Sequence, residues 1–196
     1  MNKKWIVLIV IAIVGIWLYS SITGKYNTMV AKEETVNTQW SNVETQYQRR
    51  NDLIPNLVNT VKGFAQQEKD VLTQVTEARS KASSINLNAG DLTPEKLQQF
   101  QAAQGQLNGA LSRLLVTVEK YPELKSNQNF LELQAQLEGT ENRIAVARRR
   151  FNESAQDYNT YIRSFPERVY ASMFDFERKP LFEADAGAEK APEVQF

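Results

Sequence analysis

The chain of 196 residues contains no cysteine and no histidine. Without cysteine it forms no disulfide and offers no thiolate nucleophile, no Cys-ligated zinc and no iron–sulfur cluster. Without histidine it lacks the commonest general base and the commonest transition-metal ligand. Catalysis would therefore rest on Ser, Thr, Lys, Tyr and carboxylates. We predict no enzymatic activity, no cofactor and no metal site.

Glycine, proline and net charge are also scarce. Eight Gly and six Pro leave little material for turns, which favours few and long elements. Twenty-three Lys and Arg balance twenty-three Asp and Glu, so the basic excess typical of nucleic-acid binders is absent. We predict no nucleic-acid partner.

Residues 1–24 are predicted to be a transmembrane anchor. Trp5–Tyr19 is a run of fifteen residues without a charge, and polar but tolerable neighbours extend it to about 18 residues, or roughly 27 Å of helix. Trp5, Trp17 and Tyr19 lie near its ends, where amphipathic aromatic rings favour the bilayer interface. The alternative is a cleaved signal peptide, although the cleavage pattern before Gly24 is weak.

Positive charges flank this segment on both sides. Lys3 and Lys4 precede it, while Lys25 and Lys32 follow it. The bias is mild and favours a cytoplasmic N-terminus with the remaining chain outside the cytoplasm. We therefore expect a single-pass membrane protein.

Residues 25–182 are predicted to form long amphipathic helices. A heptad pattern of apolar residues runs from Met29 to Ile85, which indicates one helix of about 85 Å if it is unbroken. Pro55 lies inside this run and predicts either a kink or a brief interruption, without a change of direction.

The rest of the chain divides at clear stop signals. Residues 83–92 form a loop, and Thr93-Pro94 then caps a helix that runs to about Lys120. A tight connection at 121–127 leads to a long helix over 126–163, and a further short helix is expected within 167–182. Residues 183–196 read as a flexible acidic tail. The class is all-α: a transmembrane helix followed by an elongated antiparallel bundle of three to four long helices.

Three strings together resemble the LemA family. They are YQRRNDLIPNLV at 47–58, YPELKSN at 121–127 and RRRFN at 148–152, and the resemblance covers roughly residues 1–182. It implies a single-pass membrane protein with an antiparallel helical bundle and no established catalytic activity. Family members tend to end in a Gly-containing segment before a final Phe-Glu; here residues 173–176 and Phe182-Glu183 stand without that Gly.

A polar cluster beside the proline is the candidate interaction site. Arg49, Arg50 and Asp52 precede Pro55 on the first helix. One interpretation is a site for a partner or a lipid headgroup. The other is an inter-helix salt bridge, for instance from this cluster to Glu141, that sets the geometry of the bundle.

A free apolar stripe near the membrane is the candidate self-association surface. The other helices cover only part of an 85 Å helix, so Met29, Val36 and Trp40 are expected to remain available to a second copy. The resulting hypothesis is a membrane-anchored scaffold or interaction protein of the cell envelope that forms homo-oligomers or binds an envelope membrane protein. The alternatives are a lipid- or small-molecule-binding helical module and a partner subunit of another membrane protein.

Overall fold

A computed structural model describes residues 3–65, 67–85 and 87–183, and in these ranges every regular element is helical. The all-α prediction is confirmed. The elements are α1 (Lys3–Phe64), α2 (Lys69–Ser84), a 3₁₀ turn (Ala89–Asp91), α3 (Pro94–Val118), α4 (Pro122–Lys125), α5 (Gln128–Arg163) and α6 (Glu167–Met173). The predicted acidic tail lies outside the described residues except for Glu183.

The first helix, α1, spans 62 residues without interruption, or about 93 Å. Its N-terminal part is apolar and exposed, and from Met29 onward its inward-facing side chains are buried. By length and composition it is the one described helix that could cross a membrane. Pro55 lies inside α1, so the helix does not end there.

The single helix predicted from Met29 to Ile85 is wrong beyond Phe64, because α2 begins at Lys69 and runs in the opposite direction. Arg79 of α2 contacts the Asn51 carbonyl at 2.9 Å, and the Leu87 carbonyl accepts the Trp40 indole N–H at 2.8 Å. Later residues therefore meet earlier ones, and α2 returns along α1. A turn that keeps the apolar spacing in phase is invisible to a heptad pattern.

The helix starts follow local chemistry. Thr93 accepts the Lys96 N–H at 3.3 Å and Pro94 occupies the first turn of α3, as predicted. Asn127 accepts the Phe130 N–H at 3.1 Å and caps α5. Both caps satisfy backbone donors that a helix leaves unpaired at its start.

The interior consists of two apolar clusters stacked along α1. The proximal core, nearer the apolar N-terminal segment, surrounds Trp40, whose ring lies 5.7 Å from Phe100 and 5.4 Å from Phe151. The distal core surrounds Leu57 and Leu114, both fully buried. On α1, Arg50 and Asn51 lie between the two clusters.

Residues 174–183, the C-terminal strap, close the proximal core. Asn152 and Asn159 of α5 each exchange two hydrogen bonds of 2.8–2.9 Å with the strap backbone, at Phe182 and Lys179 respectively. Seven helical residues rise about 10.5 Å and three extended residues about 10 Å, so the two amides match the strap spacing. Asp175, near the start of the strap, has φ 56°, a left-handed backbone conformation that favours glycine.

Candidate functional site

A polar layer separates the two cores. Arg50 of α1 is buried, and its guanidinium donates from Nη1 to Asn108 Oδ1 at 2.7 Å and to Glu141 Oε2 at 3.0 Å. Its Nη2 donates to Gln104 Oε1. Asn51 and Thr140 are buried at the same level. The structure thus joins α1, α3 and α5 through one cation.

The electrostatics of this layer are uneven. Arg50 is 2% exposed, whereas the Glu141 carboxylate that pairs with it is 50% exposed. The Tyr47 ring lies 5.0 Å from the Arg50 guanidinium carbon and contributes a cation–π contact. Because two of the three acceptors are neutral amides, the layer fixes geometry more than it adds Coulomb energy.

Pro55 acts on the same layer through the backbone. A proline has no N–H, so the Asn51 carbonyl, four residues earlier, lacks its helical donor. Arg79 of α2 supplies the missing donor through Nε at 2.9 Å. The proline and a side chain of the neighbouring helix are therefore complementary, and this exchange holds α2 level with the Arg50 layer.

The predicted polar cluster divides into two parts. Arg50 and Glu141 meet in the layer, and Pro55 lies next to it. Arg49 and Asp52 are exposed on the outer side of α1, and Asp52 accepts from the Gln48 amide at 2.8 Å. Their role in an interaction stays a prediction.

Sequence reasoning missed the neutral partners of the layer. Gln104 stands in an otherwise apolar stripe of α3, and this interruption was the available signal. Asn108 and Arg79 carry no such signal, because their roles depend on which helix lies beside them.

The expected self-association stripe is not free. Met29, Val36 and Trp40 are each 0% exposed within the single chain. α5 returns along α1, as the pairing of Lys32 with Asp157 at 2.6 Å shows, and the strap covers Trp40 with Phe182 at 5.9 Å between ring centroids. The expectation that these three side chains face a second copy is corrected: they form the proximal core.

The aromatic residues of the predicted anchor stand clear of the bundle. Trp5, Trp17 and Tyr19 are 62%, 67% and 73% exposed. Such large exposed apolar surface on one helix is costly in water and favourable in a bilayer. Their placement at the bilayer interface stays a prediction.

A groove of about 790 Å³ runs beside the polar layer, lined among others by Trp40, Glu44 and Asn51. Partial burial raises the pKa of Glu44, and the Trp40 indole beside it opposes that rise. The buried Asn51 Oδ1 has no hydrogen-bond partner among the described residues. No group of three or more acidic side chains that could hold a metal ion occurs within the described ranges.

The fold and the long apolar helix define a class of protein: an all-helical, membrane-associated bundle. The LemA family matches residues 39–196, most of the chain. The chain belongs to the LemA family.

Relatives extend over most of the sequence. Protein LemA of Metamycoplasma hominis is 24% identical over 184 residues, which cover 93% of this chain and 80% of that protein. Magnetosome protein MamQ 1 of Paramagnetospirillum magneticum is 27% identical over 196 residues, covering 90% and 71%. Magnetosome protein MamQ of Magnetospirillum gryphiswaldense is 28% identical over 177 residues, covering 81% and 64%.

Proposed function

We propose that this protein is a membrane-anchored helical scaffold, without catalytic activity, that holds an interaction bundle close to the surface of the bacterial inner membrane. The observation that carries the proposal is the continuity of α1. The same 62-residue helix contains the exposed apolar segment and the buried residues from Met29 to Val61. An anchor that continues as a core helix transmits its orientation to the whole bundle.

The interior supports a positioning role. The Arg50 layer ties α1 to α3 and α5, and Arg79 ties α2 to α1. A bundle with these cross-connections presents a defined outer surface at a defined distance from the bilayer. A second copy of the chain or an envelope membrane protein would then bind to that outer surface.

Size-exclusion chromatography with light scattering tests self-association in detergent. We expect a discrete full-length oligomer and a smaller particle from a chain that starts at Lys25, with circular dichroism as the check that the shorter chain is helical. Monomers in both samples would remove self-association from the proposal. The remaining scaffold role would then require a different protein partner.

Orientation is tested separately, because the chain has no cysteine of its own. The bias from Lys3 and Lys4 supports a cytoplasmic N-terminus. Single cysteines at exposed Val116 and at Asn2 should then react with an impermeant maleimide on opposite sides of the membrane. Reaction of Val116→Cys only after the cytoplasm is opened would reverse the orientation.

The groove beside the polar layer supports a second function, the binding of a small polar or lipid-like molecule. The buried Asn51 Oδ1, which has no hydrogen-bond partner among the described residues, could accept a hydrogen bond from a bound molecule. Native mass spectrometry of the full chain from bacterial membranes should show a retained adduct. Loss of that adduct in Asn51→Leu but not in Asn59→Leu, whose exposed amide lies outside the groove, would assign it to the groove, and equal adducts in both would refute the assignment.

A further inference from the structure

The short helix α6 packs where α1 leaves its apolar segment. Lys25 lies three residues beyond Ile22, the last residue of the predicted apolar span, and pairs with Glu167 at the start of α6. Three residues correspond to about 4.5 Å along α1. This end of the bundle therefore lies at the depth of lipid headgroups when the apolar segment crosses a bilayer.

α6 crosses α1 and does not run along it. Its first residue, Glu167, contacts Lys25, and Phe174 directly after its last turn contacts Tyr26 with ring centroids 5.0 Å apart. From Glu167 to Phe174 the chain moves seven residues, while its contact on α1 moves by only one residue, from Lys25 to Tyr26. A helix in this arrangement lies across the base of the bundle, and an anchor perpendicular to the bilayer would place α6 close to the plane of the membrane.

The inner face of α6 packs against the bundle, and its outer face is exposed. Glu167 and Ala171 are buried, and Ala171 belongs to the proximal core. On the outer side, Val169 and Met173 are 55% and 62% exposed, and Phe165 in the preceding turn is 87% exposed. Val169 and Met173, four residues apart, lie on one side of α6, and Phe165 lies in the turn that leads into this helix.

Free cations border this apolar face. Arg163 and Arg168 are exposed, and neither forms an ion pair with another described residue. The acid between them, Glu167, is directed to Lys25. Apolar side chains at the centre and arginines at the border are the pattern of a helix that lies in the interface of a membrane with anionic lipids.

We propose that the outer face of α6, with Phe165, Val169 and Met173, is a second membrane contact that inserts into the headgroup region beside the anchor. The inference rests on the proposed anchor and adds to it. One helix through a bilayer leaves the bundle free to rotate and tilt. A second contact at its base removes that freedom and sets which side of the bundle faces along the membrane.

Single-cysteine fluorescence quenching tests the contact in the full chain, whose natural sequence has no cysteine. Met173→Cys carries an environment-sensitive fluorophore, and the protein is reconstituted in vesicles of phosphatidylcholine with and without phosphatidylglycerol that contain a headgroup-level quencher lipid. Val116→Cys is the matched control, because Val116 is an apolar side chain that is 70% exposed. It lies at the end of α3 that packs in the distal core, away from the apolar segment of α1. Ile11→Cys reports the anchor itself.

We expect the label at 173 to be quenched at least about two-fold more than the label at 116, with stronger quenching when phosphatidylglycerol is present. Adding Phe165→Ser and Val169→Ser should lower the quenching at 173 while circular dichroism is unchanged. Equal quenching at 173 and 116 would overturn the inference. If the emission of the label at 11 also showed no shift to an apolar environment, the proposed anchor would fail as well, so the two failures are distinguishable.

Discussion

Replacement of Arg79 by methionine tests the link between Pro55 and the neighbouring helix. Arg79 is half-buried and donates to the Asn51 carbonyl at 2.9 Å, the acceptor that Pro55 leaves without a helical partner. Methionine keeps the apolar stem and removes the donor. A hydrogen bond from a charged donor contributes about 1.5–3 kcal/mol when buried, and partial exposure reduces the expected loss to about 1–2 kcal/mol.

The assay is the free energy of unfolding in a mild detergent, followed by helical circular dichroism. For a chain of this size, the predicted loss corresponds to a decrease in melting temperature of about 2–8 °C. Arg113→Met is the matched control, since Arg113 is exposed and donates to the Gln74 amide oxygen at 3.0 Å. Its expected cost is below about 0.5 kcal/mol.

A double-mutant cycle decides whether the proline is the reason. In Pro55→Ala, the restored N–H of residue 55 can donate to the Asn51 carbonyl, which then no longer depends on Arg79. Arg79→Met should therefore cost about 1 kcal/mol less in that background than in the natural chain. An equal cost in both backgrounds would refute the reasoning, because Arg79 would then stabilise the fold by another route.

Three further predictions concern the strap, the groove and the polar layer. Because φ is 56° at Asp175, Asp175→Gly should stabilise the chain by about 0.5–1 kcal/mol and Asp175→Val should destabilise it by about 1–2 kcal/mol. A higher melting temperature for the valine variant than for the glycine variant would contradict this. Burial raises the pKa of Glu44, so the folded state keeps the Glu44 proton to a higher pH than the unfolded state does. Stability should therefore fall as the pH rises from the ordinary carboxyl range through the raised pKa of Glu44. Glu44→Gln should flatten this pH dependence in thermal melts. Arg50→Met should cost about 1–3 kcal/mol by leaving the buried Gln104 oxygen without a donor. This is more than the cost of Glu141→Gln, which removes a half-exposed charge worth below about 1 kcal/mol. Denaturation that reverses this order would show that the Arg50–Glu141 ion pair stabilises the layer most.

Local features were predictable where local chemistry decides them. The all-α class follows from apolar residues at helical spacing, and the start of α3 follows from Thr93-Pro94, a pair that suits the N-cap and first turn of a helix. The apolar segment of α1 was equally readable, because fifteen uncharged residues in succession have few alternatives. Helix ends were predicted to within a few residues at Val118 and Arg163.

The sequence by itself determined the helical class, the apolar N-terminal segment and the family strings. Only the tertiary structure decided which apolar residues are covered: Met29, Val36 and Trp40 carry the same pattern whether they face a second copy or, as here, α5 and the strap. It also decided that Arg50 meets Gln104, since two side chains 54 residues apart become neighbours only when α3 lies level with α1. The physical reason is that periodicity records which face of a helix is apolar, while the partner of that face depends on chain reversals that leave the period unchanged.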